Sequence, residues 1–201
     1  MTQLTIVEAG PEQNPELSQW FTSPEIAREM VRMAAQFLRM RPDARVLEPS
    51  AGRGNLVRAV LEVAPLAHVD AIDIDPRWGS TLSALGPNVT GATVDYLERP
   101  APAKRYHLAI TNPPYDGGLE AAHLAKMLNE CDRVIALLPA RSLHGLERWT
   151  RVWSRFRSEW WLREKVHLVR RPKFGEGGGS DEIVLLDMHR GCPGECRVRW
   201  I

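Results

Sequence analysis

The residues best placed to do chemistry are Thr111-Asn112-Pro113-Pro114-Tyr115, a run that combines an amide, two prolines and an aromatic ring. The prolines lack N–H donors and fix φ, so the Asn112 side chain and the adjoining carbonyls keep one orientation. Such a shelf accepts hydrogen bonds from an –NH2 group while Tyr115 stacks on the ring that carries it. Taken alone, the run reads equally as a proline-rich stop between a strand and a loop. Other candidates precede it: Gly52 and Gly54, two residues apart, and the acids Asp73 and Asp95. Glycines let a ligand approach the backbone closely, and an acid can bind a ribose hydroxyl or an exocyclic amine. Cys192 and Cys196, with His189 nearby, lack the second pair of ligands that a zinc site needs, so no metal is expected.

The elements that must position these residues alternate between strand and helix. Ser23-Pro24-Glu25 predicts a helix start, with Ile26, Met30, Met33, Ala34 and Phe37 at helical spacing up to Pro42. A strand, Arg45 to Leu47, then feeds the loop Glu48-Pro49-Ser50-Ala51-Gly52-Arg53-Gly54 and a helix from Leu56. A helix start offers free N–H groups and a positive dipole to a ligand. A second strand, His68 to Asp75, ends in acids and brings Asp73 to its tip, roughly 20 residues after the glycine loop, where doubly wound folds bind ribose hydroxyls. Asp75, directly before Pro76, reads as the cap of a helix over 77–85. A third strand over 88–94 ends at Asp95-Tyr96, and a fourth, His107 to Ile110, delivers Asn112. A helix over 119–130, a buried strand over 133–139, and strands at 166–169 and 182–188 complete the pattern.

Between Arg141 and Lys173 the character changes, with ten Lys or Arg against three Glu and four of the seven tryptophans. Leu146, Trp149, Trp153 and Phe156 are expected on one core-facing helical stripe, and Arg148, Arg151 and Arg155 on another face. That basic excess, with Arg141, predicts a polyanion footprint. A following loop, Arg170-Arg171-Pro172-Lys173-Phe174 and then glycines, is expected to order on a substrate.

At 201 residues with 44% hydrophobic content the chain has room for one α/β core. The expected organisation is a loose arm over 1–18, a single domain over 19–190 and a short tail over 191–201. No apolar run approaches the roughly 18 residues needed to cross a membrane. Three cysteines suit a reducing cytoplasm, which is the expected location.

Together these segments resemble the class I S-adenosylmethionine-dependent methyltransferases, and within them the gamma group of amino-group DNA methyltransferases that modify adenine at N6. Phe21-Thr22-Ser23-Pro24-Glu25 resembles the upstream segment at the cofactor's methionine end. Glu48, Pro49, Ser50, Ala51, Gly52 and Gly54 resemble the cofactor loop. Asp73, followed by Ile74, stands where the ribose-binding acid stands, and Asp95-Tyr96 resembles the adenine-binding pair. Asn112-Pro113-Pro114-Tyr115 resembles the catalytic tetrad, with Asn112 also beside the cofactor, and Phe174 resembles the aromatic that faces the flipped base.

The resemblance implies a Rossmann-like, mostly parallel seven-stranded sheet with an antiparallel last strand and helices on both faces. It implies S-adenosylmethionine as cofactor, DNA as substrate, and a restriction-modification or phage setting. Only 189–201 remain for target recognition, so nucleic-acid contact falls to Tyr115, Arg141, Arg148, Arg151, Arg155, Arg170, Arg171, Lys173 and Phe174. Single-stranded DNA, low sequence specificity or a recognition partner all fit this shortage. RNA adenine, a release-factor glutamine and a catalytically silent nucleic-acid-binding subunit are the alternatives.

Overall fold

The computed structural model describes residues 7–8, 19–157, 159–168 and 182–201. Its chain order is β1 (Val7–Glu8), β2 (Phe21–Thr22), α1 (Pro24–Met40), β3 (Arg45–Glu48), α2 (Asn55–Val63), β4 (His68–Asp73), α3 (Gly79–Ser83) and β5 (Val89–Thr93). Then follow β6 (Leu108–Thr111), α4 (Leu119–Glu130), β7 (Arg133–Pro139), α5 (Leu146–Arg151), β8 (Trp160–His167), β9 (Ile183–Arg190) and β10 (Arg197–Trp200). Eight strands form one sheet in the order β10-β8-β9-β7-β6-β3-β4-β5, while β1 and β2 pair separately and antiparallel. β9 runs antiparallel to both β7 and β8, and every other pairing in the large sheet is parallel.

Both faces of the sheet are covered, as a parallel sheet requires. Ile26, Met30, Ala34 and Leu38 of α1, with Leu56, Val57 and Val60 of α2, pack on one face. Ala121, Leu124, Met127 and Leu128 of α4 pack on the other. α1 begins as expected, with Ser23 Oγ accepting the Ile26 N–H at 3.3 Å and Pro24 in its first turn.

The sheet has one strand more than the seven expected. β10 comes from the segment read as a tail and pairs parallel with β8. Its residues are held by side chains far away in sequence: Arg199 bonds Glu164 and Glu29, Trp200 stacks on His167, and Ile201 packs on the core. The tryptophan segment also differs from expectation. The helix stops at Arg151, a single 3-10 turn covers Trp153–Arg157, and β8 begins at Trp160. Trp153 and Phe156 pack on the core, but Leu146 is 81% and Trp149 44% exposed, so the stripe divides. The indole N–H of Trp153 donates to the Ser142 carbonyl at 2.9 Å, which draws the chain inward where a regular helix would continue.

Arg133 and Asp187 fasten the antiparallel strand to its neighbour. Nε and Nη2 of Arg133 reach Asp187 Oδ1 and Oδ2 at 2.9 and 2.7 Å, and Nη2 also donates to the Met33 carbonyl of α1. Both side chains are buried, and loss of Arg133 leaves the Asp187 charge with only the His189 ring, 3.0 Å away, among the described residues. Arg133→Ala is expected to cost about 3–5 kcal/mol of stability in chemical denaturation.

Candidate functional site

The carboxyl ends of β3, β4, β5 and β6 meet at one edge of the sheet and carry the loops that line a cavity of about 220 Å³. After β3 the chain turns sharply, and Ala51 N–H donates to the Ile72 carbonyl at 2.8 Å. Gly54, at φ 81°, starts α2, and a Cβ there would lie 2.6 Å from Leu85, so only glycine fits. Gly52, at φ 48°, lies against Phe21, whose ring would be 2.9 Å from an added Cβ.

Asp73 ties this loop to β4. One carboxylate oxygen accepts the Gly52 N–H at 2.6 Å and the other the Asp75 N–H at 2.9 Å. Burial raises the Asp73 pKa, and these two N–H donors oppose that shift. The carboxylate lines the cavity and retains lone pairs for a hydroxyl. Asp75 caps a tight turn instead of a helix: its Oδ1 accepts the Arg77 N–H, while α3 starts only at Gly79. The Arg77 guanidinium holds the Asp75 carboxyl down to about 2.

Asp95 also lines the cavity, with Oδ1 accepting the Leu97 N–H at 2.8 Å and Oδ2 left without a hydrogen-bond partner among the described residues. Tyr96 is buried beside it, its hydroxyl donating to Glu130 at 2.9 Å.

Asn112 stands at the end of β6, and its amide is held at both ends. Nδ2 donates to the Trp20 carbonyl at 2.8 Å, and Oδ1 accepts the Tyr115 hydroxyl at 2.5 Å. Because a carbonyl only accepts, Trp20 fixes which end of the amide is nitrogen. Asn112 and Pro114 line the cavity, but Tyr115 does not. Its ring is 7% exposed and packed in the core, where burial keeps the phenol protonated. The open stacking platform expected of Tyr115 is therefore absent from this arrangement, because the hydroxyl finds its partners, Asn112 Oδ1 and the Leu137 carbonyl, inward.

Of the residues expected at a cofactor, Phe21, Pro49, Ser50, Gly52, Asp73, Ile74, Asp95, Tyr96 and Asn112 share the cavity wall. Thr22 and Ala51 line a small adjoining recess, and Ser23 caps α1. Glu48 lies beneath the loop, with Oε1 accepting the Ser50 N–H and the Thr111 hydroxyl.

Gln19, Trp20, Leu97, Asp116, Leu119 and His123 complete the wall without having been anticipated. His123 sits midway along a helix whose sequence shows nothing but ordinary spacing, so no local signal marks it. Its Nδ1 lies 2.9 Å from the Leu119 carbonyl and must carry the proton there. Burial lowers its pKa, which leaves Nε2 a neutral acceptor.

Among the residues expected at a polyanion, Arg148 turns inward. Its Nε and Nη2 bond the fully buried Glu120 at 2.9 and 2.7 Å. Arg151 pairs with Glu147 at 3.1 Å and Arg141 is exposed. The Arg155 side chain and Arg170, Arg171, Lys173 and Phe174 lie outside the described residues.

Glu48 makes stability depend on pH. Burial outweighs its two donors and raises the carboxyl to about 8, and Oε2 is buried without a partner among the described residues. The folded protein thus keeps a proton that the unfolded chain releases in the ordinary carboxylate range. The stabilisation is complete below that range and is lost as pH rises through about 8. Glu48→Gln, which mimics the neutral form, is expected to flatten the pH dependence of the thermal midpoint across this window.

No protein-family model and no curated protein matches the chain. Solved structures do. A candidate RNA methyltransferase of Pyrococcus horikoshii superposes with TM-score 0.72 at 15% identity, covering 92% of each chain. The modification subunit of a candidate type I restriction enzyme of Vibrio vulnificus gives 0.71 at 15% identity over 87% of this chain, which spans 45% of that subunit. A candidate class I S-adenosylmethionine-dependent methyltransferase of Listeria monocytogenes gives 0.66 at 13% identity, covering 89% of this chain and 64% of that one. The chain therefore has the Rossmann-like fold of these methyltransferases, with an antiparallel strand near its carboxyl end and an eighth strand at the edge.

Proposed function

We propose that this chain transfers a methyl group from S-adenosylmethionine to the exocyclic N6 amine of adenine in DNA. The observation that carries the reading is the sharing of one cavity wall by Asn112 and Pro114, Asp73, Asp95 and the Gly52 loop. The residues present suit the cofactor: Asp73 for ribose hydroxyls, Asp95 Oδ2 for an adenine amine, and Gly52 for close approach of the backbone. When bound, S-adenosylmethionine supplies an electrophilic methyl group.

The protein's share is to orient and polarise the acceptor. Adenine N6 is a weak nucleophile because its lone pair is delocalised into the ring. Asn112 Oδ1 keeps a lone pair free after accepting from Tyr115, and with the Pro113 carbonyl it accepts the amine hydrogens. These contacts favour a pyramidal nitrogen and stabilise the positive charge that develops on it. Both acceptors are weak bases, so the proton leaves to water. Tyr115 acts here through Asn112, as a positioning residue. A base in a duplex reaches the cavity only after extrusion from the stack. Target recognition by a partner protein is part of this reading, in keeping with the likeness to a modification subunit.

RNA is the second reading, favoured by the 92% mutual coverage with the Pyrococcus horikoshii protein, and the exposed arginines serve either polymer. Labelled cofactor incubated with DNA, RNA and a release factor separates the alternatives. Incorporation into DNA is expected, incorporation into RNA alone moves the substrate, and incorporation into protein alone overturns the proposal. Asn112→Ala is expected to abolish transfer while S-adenosylmethionine binding, followed by calorimetry, stays near wild type. Tyr115→Phe keeps the ring but frees the Asn112 amide, and kcat is expected to fall roughly 10- to 100-fold with KM for the nucleic acid little changed. Full activity in that variant would instead assign Tyr115 to stacking.

A further inference from the structure

We propose that His123 is a specificity-determining residue for the cofactor. Its Nε2 accepts the second hydrogen of the adenine amine whose first hydrogen goes to Asp95, so the site selects an adenine over a 6-oxo purine. The inference rests on the S-adenosylmethionine reading of the cavity and adds the group that identifies its base.

Asp95 and His123 line the same cavity, and the elements that carry them are bonded to each other. Lys126 of α4 donates from Nζ to the Tyr96 and Leu97 carbonyls at 2.7 and 3.2 Å, and the Tyr96 hydroxyl donates to Glu130 at 2.9 Å. The turn after β5 is thereby tied to α4. The His123 ring lies against the ring of Tyr96, with centroids 5.4 Å apart and planes tilted by 39°. The imidazole is thus fixed against the residue next to Asp95.

The helix settles the tautomer. The Leu119 carbonyl, one turn earlier, only accepts, so the proton sits on Nδ1 and Nε2 carries the lone pair. Nε2 has no hydrogen-bond partner among the described residues, although the side chain is only 6% exposed. A polar group so covered is favoured by a ligand that donates to it.

The number of donors selects that ligand. An adenine amine carries two N–H groups. Asp95 Oδ2 takes one, because Oδ1 is already occupied by the Leu97 N–H, and the Tyr96 hydroxyl is committed to Glu130. His123 Nε2 is the neutral acceptor for the other. A 6-oxo purine satisfies Asp95 through its ring N–H, but its carbonyl sets a lone pair against the lone pair of Nε2. Discrimination between the two bases therefore falls to the histidine.

The test is calorimetric titration of the full chain with S-adenosylhomocysteine and with S-inosylhomocysteine, with the thermal midpoint of the ligand-free protein as the control for folding. The wild type is expected to prefer the adenosine form. His123→Phe keeps a ring beside Tyr96 but removes the acceptor. It is expected to weaken S-adenosylhomocysteine binding roughly tenfold and S-inosylhomocysteine binding not at all, so the preference narrows. His123→Gln, whose amide oxygen reaches the same place, is expected to keep the preference. His123→Leu takes the place of the phenylalanine variant if that one unfolds. Equal weakening of both ligands, unchanged affinity for S-adenosylhomocysteine, or a wild type that does not discriminate overturns the proposal and leaves the cofactor reading intact. A wild type that binds neither ligand overturns the cofactor reading and this proposal with it.

Discussion

The amide of Asn112 is clamped between the Trp20 carbonyl on one side and the Tyr115 hydroxyl on the other. Three parts of the chain meet in that contact: the segment before α1, the end of β6, and β7 through the Leu137 carbonyl that also receives Tyr115. The cavity exists in its present form because this junction closes it. Gln19 of the same segment donates to Asp75 at 3.0 Å, and Asn55 donates to the Thr22 carbonyl at 2.8 Å. The strap that covers the cavity is therefore bonded to the ends of two loops and to the amide. A shift of any of these partners is felt at the amide, whose orientation decides whether it presents oxygen or nitrogen to a ligand.

Around that amide the protein keeps acids in places where acids are costly. Glu48 and Asp73 are both buried, with raised pKa values; Glu48 is compensated by the Ser50 N–H and the Thr111 hydroxyl, and Asp73 by the Asp75 and Gly52 N–H groups. The loop is thus shaped by two acidic side chains, to each of which it gives one N–H, from Ser50 and Gly52. Polar groups that lack water must find protein partners. Here two of those partners, the Ser50 and Gly52 N–H groups, belong to the loop against which a ligand would lie, so the cost of burial and the shape of the site are linked.

The arginines divide into two populations. Arg133 and Arg148 are bonded to buried carboxylates and hold β9 and α5 in position. Arg141 and Arg151 lie at the surface, Arg151 paired with Glu147. Sequence counting places Arg141, Arg148 and Arg151 in one basic segment, and only the location of Glu120 shows that Arg148 is bound inside the protein.

The succession of strands and helices up to β7, the glycine loop and the acid-tipped strands were legible in the sequence, because each follows from local rules: apolar runs bounded by turns, and glycines where φ is positive. The presence of Asp73, Asp95 and Asn112 at one edge follows from the parallel alternation of strand and helix. Tertiary structure decided what spacing does not encode. It buried Tyr115 against Asn112 where exposure was expected, and it brought His123 and Trp20 to the wall across 27 and 92 residues, counted from Tyr96 and Asn112. It also recruited 197–200 as an edge strand through Glu29 and Glu164. Such contacts join side chains with no periodic relation in the chain. Their choice depends on which partner lies within hydrogen-bonding reach once the sheet has formed, and a linear pattern does not carry that information.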